Sequence, residues 1–137
     1  VMALMGYEEY VKKCTTEQKE VIRQVEELGK EQEVLAVADD SILPYVRTES
    51  AEVSLLYGRD LYQPGMDLGI VDMYSEELLS FYEAMKNPED TIQDILASAD
   101  LYGCNVVIVK QFEDAPRKMG HFERYYDTEN YIVYAIQ

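Results

Sequence analysis

Apolar residues recur along this chain in two rhythms, and the switches between them divide it into helices and strands. Tyr7, Tyr10, Val11 and Cys14 fall at i, i+3, i+4 and i+7, the stripe of a first helix. Thr15 followed by Gln18 is the pattern of a capping box, which predicts a second helix starting there. Val21, Ile22, Val25 and Leu28 form its apolar face, and Gly29 is placed to end it. Glu17, Lys19, Glu20, Arg23 and Glu27 read as its solvated face.

From Glu33 the helical spacing gives way to a continuous apolar run, Val34-Leu35-Ala36-Val37-Ala38, closed by Asp39-Asp40-Ser41. Such a run predicts a strand buried on both faces, the kind found in parallel sheets. Asp40 or Ser41 can cap a short helix from Ile42 to Arg47, with Pro44 tolerated in its first turn. Val53–Tyr57 predicts a second strand, and Gly58 to Gly69 a loop containing the Pro64-Gly65 turn signal. A helix over Val71–Lys86 buries Met73, Leu78, Leu79, Tyr82 and Met85 and ends at Asn87-Pro88. The next starts at Pro88 or Glu89, buries Ile92, Ile95, Leu96 and Ala99, and stops at Gly103. Asn105–Lys110 predicts a third buried strand. After a polar stretch with Pro116, Phe122–Tyr126 and Tyr131–Ile136 form a terminal hairpin around residues 127–130.

Helix, strand, short helix, strand, helix pair, strand and hairpin together predict an α/β chain. The expected form is a small three-layer sandwich, with a central parallel sheet of about three strands in a flavodoxin- or Rossmann-like outline. A C-terminal hairpin closes one edge and N-terminal helices cover the sheet. One domain is expected over residues 1–137, with a helical segment at 1–30 and an α/β core at 33–137.

Composition narrows the function. The 137 residues carry 27 acidic against 12 basic side chains, a formal net charge of −15. Phosphate backbones and anionic lipid surfaces need a basic face, so nucleic acid is excluded as a partner and docking on anionic lipid is disfavoured. No run of 18 apolar residues is present to span a bilayer. Cys14, Cys104 and His121 are scattered, which supplies no zinc site; each thiol reads as a small buried hydrophobe, with a Cys14–Cys104 disulfide left open. The start Val1-Met2-Ala3-Leu4-Met5 reads as a cut end.

Ligands of open parallel sheets bind outside the carboxyl ends of the strands. There the sequence places Asp39, Asp40, Tyr57, Arg59, Asp60 and Lys110. Arg59 and Lys110 suit an anion, and the aspartates suit a cation or hydroxyls. Against this, polar residues at strand ends commonly serve as caps and turns. Gly58-Arg59-Asp60 is not a dinucleotide fingerprint, and neither a phosphate-binding loop nor a nucleophile elbow occurs, so no catalytic residue, cofactor or metal is assigned. His121 is of the residue type suited to a general base but reads as a hairpin residue. Twelve tyrosines with no tryptophan suit an interface or carbohydrate platform, or cover for sheet edges.

The runs Val34–Val37, Tyr45-Val46-Arg47, Leu55–Asp60, Gly103–Lys110, Phe122-Glu123 and Asn130–Tyr134 resemble a soluble module. It is similar to the C-terminal domain of uncharacterised, glycosyltransferase-like polytopic bacterial membrane proteins. The resemblance covers residues 33–137 and rests on short, fold-like motifs. It implies a membrane-tethered domain on the extracytoplasmic face, partnered by the membrane-embedded part of its own parent chain. It implies no catalytic residue. The expected role is then non-catalytic, in substrate or acceptor recognition or in assembly for cell-envelope glycan or lipid transfer, with a glycan or another protein as further partner. Two alternatives stay open: a free-standing, cytoplasmic α/β ligand-binding protein or enzyme using the strand-end crevice, and an acidic interaction or inhibitor module.

Overall fold

A computed structural model of the chain describes residues 14–49, 52–56 and 76–137. Along it run α1 (Thr16–Glu31), β1 (Leu35–Ala38), α2 (Leu43–Glu49), β2 (Ser54–Leu55), α3 (Glu76–Met85) and α4 (Pro88–Leu101). They are followed by β3 (Val106–Lys110), β4 (Lys118–Met119), β5 (Phe122–Asp127) and β6 (Tyr131–Ala135). The helix expected over Tyr7–Cys14 lies outside the described residues except for Cys14 itself, which is buried.

The strands form one mixed sheet in the order β2-β1-β3-β6-β5-β4. β1 pairs in parallel with both β2 and β3, while β6, β5 and β4 continue the sheet antiparallel. A central sheet of about three strands is therefore too small an expectation: the sheet has six. The hairpin does lie at the edge of the parallel strands, and it enlarges the sheet there, because β6 pairs with β3 along its whole length, Lys110 opposite Tyr131 through Val106 opposite Ala135. The physical reason lies in β6 itself. All five of its residues are buried, which requires cover on both faces and a strand on either side. The outer edge falls instead to β4, two residues long and bearing Lys118, drawn from the polar stretch that gave no strand signal.

Strand periodicity sorts the core into two halves. Ala36, Ala38, Val106, Ile108, Tyr131 and Val133 face α1 and α2 and pack on Val21, Ile22, Val25, Leu28, Ile42 and Val46. Val37, Val107, Val109, Ile132 and Tyr134 face the other way, onto Phe81, Met85, Ile92, Ile95, Leu96 and Ala99 of α3 and α4. Helices thus cover both faces of the sheet. β5 changes sides partway: its register slips between Arg124 and Tyr126, so Arg124 sits opposite Tyr134 but Tyr126 opposite Val133. The slip delivers Tyr125 and Tyr126 to the α1 face, while Phe122 packs on the α3–α4 face.

Helix ends follow local chemistry. At α1 the capping box forms as the sequence predicts: Gln18 N–H donates to Thr15 Oγ1 at 3.0 Å, and Thr15 N–H to Gln18 Oε1 at 2.9 Å. Gly29 does not end α1, which continues to Glu31. Its lack of a side chain serves packing, since a Cβ there would stand 2.8 Å from the Glu52 carbonyl oxygen. Gly103 does end α4, with φ of 81°. Cys104 N–H donates to Ala99 O at 2.8 Å and Gly103 N–H to Asp100 O at 3.1 Å, the paired closure of a Schellman motif.

Candidate functional site

The chain leaves β1 for β2 on one side and returns through α3 and α4 to β3 on the other. The connectivity therefore diverges between β1 and β3, and it is outside the carboxyl ends of such a strand pair that open sheets form crevices. A cavity of about 640 Å³ lies there. Thr15, Glu17 and Gln18 from the start of α1 line it, with Ser41 beyond β1, Lys110 through Glu113 beyond β3, and Glu129 through Tyr131 of the β5–β6 turn. Strand parity explains the meeting. Lys110 lies two residues past Ile108, on the α1 side of the sheet, and its register partner Tyr131 points the same way.

Under the crevice runs a polar chain joining three elements. Gln18, only 8% exposed, donates from Nε2 to the Ser41 carbonyl at 3.1 Å and to the Tyr131 hydroxyl at 2.9 Å. Tyr131 Oη lies 2.9 Å from Ser41 Oγ, which is also bonded to the Asp39 carboxylate. Ser41 Oγ donates its single proton to Asp39 Oδ2, so the Tyr131 proton points to the serine. The order Gln18 to Tyr131 to Ser41 to Asp39 follows, each member bonded to the next. Beside it Glu17 accepts from the Asn130 backbone N–H and from its side-chain amide, both at 2.7 Å. Those bonds, led by the side-chain amide, hold the Glu17 carboxyl below its usual pKa.

The residues expected from the sequence are distributed unevenly. Lys110 lines the crevice. Asp39 sits buried beneath it as a turn-and-cap residue: its carboxylate accepts the Ser41 N–H at 3.1 Å, and its carbonyl accepts from Ile42 and Leu43. Asp40 is exposed and is not among the lining residues, and Tyr57, Arg59 and Asp60 lie outside the described residues. Gln18 and Ser41 were missed as site residues, since each carried a structural signal only, a cap and a turn; Tyr131 stood out only as one of the tyrosines suited to an interface or carbohydrate platform.

The remaining candidates resolve into structure. Cys104 is a buried free thiol, pushed up to about 12 by desolvation, and no disulfide joins it to Cys14. His121 is exposed in the β4–β5 turn, its Nδ1 3.3 Å from Asp100 Oδ2, at the end of the sheet away from the crevice. Tyr131 and Tyr134 are core residues; the Tyr134 hydroxyl donates to Pro116 O at 2.7 Å, and burial pushes its pKa up to about 12. A second concavity, about 810 Å³, opens at the opposite ends of the strands among Glu31, Glu33, Glu52 and Asn105. Among the described residues no cluster of three metal-ligating side chains occurs, and no described helix is long and apolar enough to cross a membrane. Comparison with protein-family models gives no match, and comparisons with curated proteins and with solved structures give no significant match.

Proposed function

We propose that this domain is a binding module whose small polar ligand seats in the crevice beyond β1 and β3. The observation that carries this reading is a concavity of about 640 Å³ at the place where the sheet's connectivity diverges. Its volume lies within the range of small-molecule sites, roughly 300–1,000 Å³. The order β2-β1-β3 supports the flavodoxin-like outline for the parallel half of the sheet, and sheets of that outline take their ligands at this position. The polar chain beneath supports it too, because bonded partners hold the floor rigid before any ligand arrives.

The test is an amide-resolved NMR titration with a panel of sugars, polyols, amino acids and organic anions. Saturable shifts centred on Ser41, Gln111 and Tyr131 are expected, with a matching rise in melting temperature by binding linkage. Shifts confined to other surfaces, or none across the panel, would refute the reading. The resemblance over residues 33–137 supports a setting for the module, as an extracytoplasmic recognition domain tethered to a membrane-embedded parent chain. Cell fractionation tests that setting separately. A membrane-bound form far above 15.8 kDa is expected, and a soluble form at 15.8 kDa would overturn the tether while leaving the crevice reading intact.

A further inference from the structure

We infer that the crevice takes an uncharged, polyhydroxylated ligand of the saccharide class and rejects phosphate esters and other anions; this rests on the crevice being a ligand site. In α/β sheets the usual anion holders at this position are free backbone N–H groups at helix starts. Here both helix starts beside the crevice already direct N–H groups to oxygens of the chain itself. At α1 the Thr15 hydroxyl occupies the Gln18 N–H, and Glu17 adds a negative charge to the first turn. Before α2 the Asp39 carboxylate occupies the Ser41 N–H, and the Asp39 carbonyl takes those of Ile42 and Leu43.

The lining charge points the same way. Glu17, Glu113 and Glu129 face one cation, Lys110, so an arriving anion meets a net negative wall. Glu17 is engaged by Asn130, whereas Lys110, Glu113 and Glu129 form no ion pair among the described residues. The groups open to a ligand are thus one donor and two acceptors of opposite charge. A hydroxyl both donates and accepts, so a polyol can satisfy all three at once. A cation would satisfy the carboxylates and be repelled by Lys110. Phe112 also lines the crevice, but its half-buried side chain packs against the core on the α3–α4 face, so the polar groups carry the inference.

Matched pairs separate the possibilities: glucose with glucose 6-phosphate, and N-acetylglucosamine with its 6-phosphate, with spermidine as the cationic probe. Titrations use the full chain, read by calorimetry and by the amides of Ser41, Gln111 and Tyr131. The neutral member should bind at least about tenfold more tightly than its phosphate ester. The double variant Glu113→Gln/Glu129→Gln should narrow that preference while the far-ultraviolet spectrum stays unchanged. A phosphate ester or spermidine binding as tightly as the sugar would overturn the inference and leave the ligand site standing. A preference unmoved by the double variant would overturn the electrostatic argument. No response from any probe at those amides would remove both readings.

Discussion

Replacing Tyr131 by Phe deletes one oxygen from the centre of the polar chain and leaves the apolar ring in the core. The hydroxyl accepts from Gln18 Nε2 and contacts Ser41 Oγ, each at 2.9 Å. Without it, Gln18 keeps only the Ser41 carbonyl at 3.1 Å for its amide, and one N–H of a side chain that is 8% exposed has no acceptor. A made hydrogen bond contributes about 0.5–1.5 kcal/mol net, and a stranded buried donor costs about 1–3 kcal/mol. The substitution should therefore destabilise the fold by about 2 kcal/mol. Tyr134→Phe is the internal control, because its hydroxyl only donates, to Pro116 O at 2.7 Å, and its loss strands a single carbonyl with a second lone pair. Urea unfolding followed by circular dichroism measures both, with the denaturant dependence expected to stay constant. A loss below about 0.5 kcal/mol for Tyr131→Phe would refute the reasoning, since one satisfied bond alone contributes that much. So would a larger loss for Tyr134→Phe.

Gly29→Ala should lower stability even though alanine is favoured over glycine by about 1 kcal/mol in a helix interior, because the new Cβ would meet the Glu52 carbonyl oxygen at 2.8 Å. A raised melting temperature would show that the segment before β2 yields freely. Glu17→Gln should be less stable than the parent at neutral pH, with the gap closing on acidification. The sign follows from linkage: the folded carboxyl is held below its ordinary 4.5, so its stabilisation is complete above that value and disappears as pH falls through the folded pKa. A gap that is constant from pH 7 to pH 3 would assign the loss to packing.

Local chemistry was legible in the sequence wherever a few neighbouring residues settle the outcome. The Thr15–Gln18 box, the Gly103 stop and the buried runs of β1 and β3 each needed only their own spacing, because capping, positive φ and strand burial are decided within one turn or one run. Gly29 failed for the same reason in reverse: its smallness answers a distant contact with Glu52, which helix-end rules cannot see. β4 and the register slip in β5 were equally hidden, since both are properties of pairing between strands.

The sequence by itself determined the order of the described elements apart from β4, the apolar faces of α1 and α4 and the acidic charge, which are sums and periods along one chain. Only the tertiary structure decided that β6 joins the sheet beside β3, and hence that Tyr131 meets Gln18 across 113 positions and Ser41 across 90. Those contacts depend on which elements bury one another's faces. A crevice assembled from α1, the ends of β1 and β3 and the β5–β6 turn therefore exists only once the sheet has formed.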